Sequence, residues 1–104
     1  MNSYETSNGE RITESTIKRN IRKAKDLKIK NVHGQPVSEL SGMNGVIDVA
    51  HIISVKYAKE TGRAELCWCQ SNLRFLTRQE HERHDNLINA EREKIYKEWN
   101  TLNF

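Results

Sequence analysis

In the run Thr77-Arg78-Gln79-Glu80 a threonine stands three positions ahead of a glutamate. That spacing is a capping box, in which the two side chains satisfy amide groups left unpaired at the start of a helix. It predicts a helix that begins at Arg78. Downstream, His81, Asp85, Ile88, Arg92, Ile95 and Trp99 recur at steps of three and four and form one stripe. The expectation is a single long C-terminal helix. The far end of the stripe is apolar and suits a core. Its near end is a histidine and an aspartate, which a helix that only buries a face does not need.

The rest of the chain must supply what that helix packs on. A length of 104 residues fits one small domain. Only 36% of the residues are apolar, so the core is small and Trp68 and Trp99 should count in it. Residues 1–9 are polar and read as disordered, which leaves 10–104 as the folded domain. A helix is expected from about Ile12 to Leu27. Ile17, Ile21, Ala24 and Lys28 share its inner stripe, and Lys18, Arg19, Arg22, Lys23 and Lys25 lie largely off it. Those five charges form either a solvated face or a face that touches phosphate. Residues 31–45 carry the only proline and three of the five glycines, and read as a loop in which His33 has no role. "VIDVAHIISV" is rich in β-branched residues and predicts a strand. A loop around Gly62 and a second short strand, "ELCWC", follow. Cys67 and Cys69 alternate on that strand, so they cannot pair with each other. Their spacing is also wrong for a structural zinc site, and thiols packed near the core are expected.

The formal net charge of +3 permits an anionic partner without requiring one. No apolar run is long enough to span a membrane, and the polar N-terminus has no signal-peptide core. A cytoplasmic protein with no membrane partner is the expectation.

Three short motifs resemble those of the HNH nucleases, over about residues 46–90. The first is "DVAHII", with His51. The second and third are joined in "NLRFLTRQEH", where Asn72, Leu73, Leu76 and His81 stand at the family's offsets. Many members carry Asp or His just before the first motif histidine. Here that residue is Ala50, which matches a branch with Ala-His-Ile and a third motif of the form His-x3-Asp, as in His81 and Asp85.

The resemblance implies an α+β fold: a small ββα-metal core, also called a His-Me finger, with an added N-terminal helix. It implies an enzyme that hydrolyses DNA phosphodiesters, duplex more than single strand, and leaves 5′-phosphate and 3′-hydroxyl ends. His51 would be the general base and Asn72 its orienting residue. His81 and Asp85 would hold one divalent ion, Mg²⁺ in the first instance, with Mn²⁺, Ni²⁺ and Zn²⁺ as the other options. Asp48 is the third metal candidate. It differs from His51 by three positions, so a regular strand turns it to the other face unless a bulge intervenes. The chemistry is coherent, because a neutral imidazole can take a proton from water and a dication can stabilise the charge that develops on the phosphate. Arg74, Arg78, Lys56 and Arg63 are candidates for phosphate contact, and His84, off the metal stripe, is expected to be exposed or to touch phosphate. The small size suits a phage or bacterial mobile-element or defence nuclease, as a monomer or a homodimer. Ala50 sustains a second reading, a non-catalytic module that grips nucleic acid or protein on a degenerate HNH scaffold. A zinc-stabilised helical module built on Cys67, Cys69 and histidines is a third.

Overall fold

The computed structural model describes residues 2–101, which form an α+β fold of two small antiparallel sheets and four helices. The first strand of one sheet lies where disorder was expected, and its partner lies where the first helix was expected to begin. Strand β1 (Ser3–Glu5) pairs with β2 (Arg11–Thr13) in the register Ser3↔Thr13, Tyr4↔Ile12, Glu5↔Arg11. Composition misled here because the hairpin is anchored by a few contacts rather than by an apolar run. Tyr4 and Ile12 pack on the core, and the Ser7 amide donates to the Glu65 carboxylate at 3.0 Å.

Helix α1 (Glu14–Lys30) starts one residue after β2, where Thr13 caps it by accepting from the Thr16 amide. Ile17 and Ala24 are buried and Ile21 packs beside them. A loop then leads to β3 (Ile47–His51). Ser38 closes this loop internally, and Glu39 docks it on β4 (Leu73–Thr77). The Glu39 amide donates to the Phe75 carbonyl at 2.8 Å, and its carboxylate accepts from the Phe75 amide at 2.7 Å.

The second sheet is β3 with β4, antiparallel, from Ile47↔Thr77 through Asp48↔Leu76, Val49↔Phe75 and Ala50↔Arg74 to His51↔Leu73. The partner of β3 is therefore not "ELCWC". That segment forms a 3₁₀ turn over Ala64–Cys67, because its amides find carbonyls a few residues back: Leu66 donates to Arg63, and Trp68 and Cys69 both donate to Glu65. The expected strand also stops at His51. Ser54 caps a short helix, α2 (Val55–Glu60), by accepting from the Tyr57 amide, and this local cap overrides the β preference of Val55. Gly62 ends the turn after α2 with a φ of 70°, a conformation that disfavours side chains. A second 3₁₀ turn (Gln70–Asn72) feeds directly into β4.

The capping box is present as expected. Thr77 accepts from the Glu80 amide at 3.2 Å, and the Glu80 carboxylate accepts from the Thr77 amide at 2.8 Å. Hydrogen bonds from Ser38, Ser41 and the Thr77 amide hold the Glu80 carboxyl down at about 2. The helix is not one long rod, however. α3 (Arg78–Asp85) ends at the Asn86 cap, and α4 (Asn89–Thr101) begins after a three-residue break. Ile88, expected on the inner stripe, falls in that break and is 67% exposed.

Ile17, Ile53, Ala58, Ala64, Leu66 and Cys67 form the core cluster, with Trp68 packed against it. Both cysteines are free: Cys67 is buried and Cys69 half-buried. Burial raises the Cys67 thiol to about 11, so it packs as a small apolar group. Among the described residues no helix is long and apolar enough to cross a membrane.

Replacing Thr77 by Ala removes one half of the capping box. It should lower the unfolding free energy by about 1 kcal/mol, read as a shift of the urea midpoint at an unchanged slope.

Candidate active site

β3 sends alternate side chains to opposite faces, and its register with β4 is unbroken, so no bulge is present between Ile47 and His51. Asp48 and Ala50 share one face. The alternation directs His51 to the other. α3 covers the first face, which is how Asp48 reaches the helix without the bulge that the sequence seemed to require. The Nδ1 atom of His81 lies 3.0 Å from Asp48 Oδ2, and its Nε2 atom lies 3.3 Å from Asp85 Oδ2. Each carboxylate also has an arginine: Arg78 lies 3.1 Å from Asp48 and Arg92 lies 3.4 Å from Asp85. Arg78, and after it His81, holds the Asp48 carboxyl below its usual value. The result is a linear array, Arg78–Asp48–His81–Asp85–Arg92.

His51 is held by the 3₁₀ turn over Ala64–Cys67. Its Nε2 atom is 2.8 Å from the Cys67 carbonyl. A carbonyl can only accept, so Nε2 carries the hydrogen and Nδ1 of the neutral ring carries the lone pair. Burial lowers the His51 pKa from its ordinary 6.5, against the raising effect of the Cys67 carbonyl. The charges of Lys25, Arg92 and His81 lower it further. The ring is therefore a neutral base at pH 7.

Asn72 is fully buried. Its Oδ1 accepts from the Ile53 amide at 2.7 Å, and its Nδ2 donates to the carbonyls of Ile53 and Leu66, both at 2.9 Å. One end of this clamp is two residues beyond His51. The other is next to Cys67, whose carbonyl holds the His51 ring. Asn72 thus ties together the two pieces of backbone that set the imidazole, and it does not touch the ring itself.

Arg92 does the same from α4. It is 7% exposed, and it donates through Nε to the Ile52 carbonyl at 2.7 Å and through Nη2 to the His51 carbonyl at 2.9 Å. Burial lowers its pKa, and Asp85 works in the opposite sense. The sequence reading placed Arg92 on the inner stripe but gave it no role. The available signal was a lone arginine between Ile88 and Ile95, since a buried guanidinium must find acceptors.

Most of the expected phosphate contacts have other uses. His84 is not exposed. It faces inward from α3, 8% exposed, with Nε2 2.8 Å from the Ile52 carbonyl. Arg63 pairs with Glu93 through two bonds of 2.8 and 3.1 Å and so ties the turn after α2 to α4. Arg74 lies over the Trp99 ring and donates to Asn100. Lys56 is exposed, on α2 rather than in a loop, and 3.9 Å from Glu60. Arg78 is exposed but occupied by Asp48.

Among the described residues no set of three or more His, Cys, Asp or Glu converges as a metal-binding group. The donor chemistry suggests a smaller set. With His81 Nδ1–H donating to Asp48, the Nε2 lone pair points at Asp85 Oδ2, and two lone pairs at 3.3 Å need a proton or a cation between them. A carboxylate that fixes the tautomer of a histidine ligand is a recurrent partner in metal sites. On this geometry His81 and Asp85 fit as ligands and Asp48 as the residue behind His81.

No family model, curated protein or solved structure matches the chain.

Replacing Asn72 by Ala strands the Ile53 amide and the Ile53 and Leu66 carbonyls inside the fold. Each buried orphan costs about 1–3 kcal/mol. The variant should lose at least about 2 kcal/mol in a urea titration, whereas a surface change such as Gln79→Ala should leave the midpoint nearly unmoved.

Proposed function

We propose that this chain is a divalent-metal-dependent endonuclease of the HNH type that hydrolyses phosphodiester bonds in DNA, on a ββα-metal core made of β3, β4 and α3. The observation that carries the reading is the His51 ring, neutral and half-buried on a strand, with its Nε2–H held by a backbone carbonyl and its Nδ1 left to accept a proton. His84 is held in the same way by the Ile52 carbonyl but is buried, whereas His51 stays partly open to solvent, where a substrate can reach it. The motif order supports the same reading, as does the pairing of His81 with Asp85 one helical turn apart.

In this scheme Nδ1 of His51 takes a proton from water as the water oxygen attacks phosphorus. The bond from phosphorus to the 3′ oxygen breaks, and that oxygen takes a proton from solvent. The Cys67 carbonyl keeps its bond to Nε2–H throughout and stabilises the imidazolium that forms. Asn72 and Arg92 are positioning residues, because they hold the backbone around His51. His81 and Asp85 are the residues that would hold a divalent cation, which would supply counter-charge for the leaving oxygen. Asp48 fixes the His81 tautomer, and Arg78 holds Asp48 in place.

Ala50 favours a second reading, a nucleic-acid-binding module without catalysis. It is fully buried and supplies no ligand. Incubation of purified protein with supercoiled plasmid in Mg²⁺, Mn²⁺, Ni²⁺, Zn²⁺ or EDTA separates the two. Cleavage in at least one metal and none in EDTA is expected, and a protein that binds but never cuts is the binding module.

His51→Ala should cut about 10²–10⁴-fold more slowly, with DNA affinity retained. The wild-type rate should rise with pH as His51 loses its proton. Because the pKa is lowered, half of the plateau should be reached below pH 6.5. A rate independent of pH across that window would remove His51 as the base.

Asp85→Asn keeps an oxygen donor but removes the charge that a hard cation requires. The metal concentration for half-maximal cleavage should rise, with excess metal restoring much of the rate. Superimposable Mg²⁺ titrations of the two proteins would place Asp85 outside the metal's ligand set.

A further inference from the structure

Helix α1 holds seven Lys and Arg and two carboxylates, Glu14 and Asp26. Its surplus of five positive charges exceeds the +3 of the whole chain, so the remainder is net acidic. The chain's positive field is therefore concentrated on one helix. That helix has its own packing, which accounts for Ile17, Ile21, Ala24 and Lys28 and leaves the other basic residues outside it. Lys28 is neutralised by Glu39 at 2.9 Å, and Glu14 is taken by Lys59 at 2.6 Å. Among the described residues, Lys18, Arg19, Arg22, Lys23, Lys25 and Lys30 have no carboxylate within ion-pairing distance. Outside α1, Arg11, Lys56, Lys59, Arg63, Arg74, Arg78 and Arg92 have carboxylate partners, and among the described residues only Arg83, Lys94 and Lys97 share the unpaired state.

At about 100° per residue these six divide into two flanks. Lys18, Arg22 and Lys25 fall within about 60° of arc on one side. Arg19, Lys23 and Lys30 fall together on the other, with exposed Asp26 on the crest between them. The Lys23 flank faces away from the catalytic histidine. It borders a groove shared with Asn20, Leu27, Trp68 and Gln70, and Gln70 is bonded there to the Ala24 carbonyl. The Lys25 flank faces His51. The Lys25 charge is close enough to oppose protonation of the imidazole, although the ring sits on a different element. β3 pairs only with β4, so His51 lies on an edge strand, and α1 reaches its face of the sheet: Lys28 lies 4.6 Å over the ring of Phe75, which stands opposite Val49 and so shares the side of β3 that carries His51.

We propose that the Lys18–Arg22–Lys25 flank of α1 is a phosphate-binding track that lays duplex DNA across the edge of β3 and delivers one backbone to His51. This rests on the nuclease reading of the His51 site and adds how the substrate is held there. From Lys18 to Lys25 the helix rises about 10 Å, which matches about three base-pair steps of a duplex that advances about 3.4 Å per phosphate of each strand along its axis. No aromatic side chain interleaves the three cations, so the flank fits a regular backbone rather than unstacked bases. Contacts of this kind position the duplex without reading its sequence.

The test is equilibrium binding of a labelled 20-base-pair duplex in EDTA, followed by fluorescence anisotropy over a series of salt concentrations. Wild-type protein is compared with Lys18→Gln/Arg22→Gln and with the opposite-flank control Arg19→Gln/Lys23→Gln. All four side chains are exposed, and thermal melts check that the fold is kept. Each lost phosphate contact reduces the slope of log affinity against log salt by about 0.9. The Lys18/Arg22 variant should therefore lose nearly two units of slope while the control keeps the wild-type slope. Equal losses in both doubles, or none in either, would overturn the track. So would a wild-type protein that prefers single strands or RNA to the duplex. Because binding is read without metal, the two readings can fail separately. Duplex binding through this flank with no plasmid cleavage in any metal overturns the nuclease and leaves the track standing.

Discussion

One side-chain amide that water never reaches organises the site. Asn72 bonds both backbone groups of Ile53 and the carbonyl of Leu66. These are the two ends of a segment that leaves β3, forms α2, turns, and comes back as a 3₁₀ helix. That clamp fixes the Cys67 carbonyl relative to the end of β3, and so gives the His51 ring a defined partner. The arrangement has a fully satisfied interior, since among the described residues no buried side-chain nitrogen or oxygen lacks a hydrogen bond. In a core this small a polar clamp sets geometry that apolar packing would leave loose.

β3 separates two chemistries. On the α3 side it presents Asp48 and Ala50, and the carboxylate reaches His81 from two residues before the position where a ligand would be looked for. His51 ends the strand and is bonded to the 3₁₀ turn through the Cys67 carbonyl, still near enough for the His81 charge to act on its ring. Ala50 is completely enclosed, so a larger side chain there would push α3 outward. The missing ligand and the close approach of the helix are the same fact. Asp48 serves that face because strand alternation repeats every second residue.

What was legible in the sequence was set by local rules. The capping box at Thr77 placed the start of α3 to the residue, and the inner stripe of α1 identified Ile17 and Ala24 as buried. The residues that meet at His81 were readable from helical and strand spacing, with the face of Asp48 correctly assigned and its consequence missed. Long-range choices were not legible. "ELCWC" alternates like a strand, but β3 could take only one new partner, and "LRFLT" has the matching register. Val55 has a strand former's shape and sits after a helix cap. The break between α3 and α4 depends on His84 and Arg92 both reaching the Ile52 carbonyl from different helices, a requirement that no window of sequence contains. Composition failed at the N-terminus for a related reason, because Tyr4 and Ser7 hold the hairpin through partners far along the chain.

Cys67 serves His51 through its main chain alone. Its thiol is turned into the core, held protonated by burial, and has no part in orienting the imidazole. The contact to His51 therefore asks nothing of the thiol, and Cys67→Ala presents the same carbonyl. The polarising group is a carbonyl, which cannot be mutated away, oxidised or alkylated. The site's most exacting contact is in this way insulated from the redox state of its surroundings and from drift at the residue that provides it.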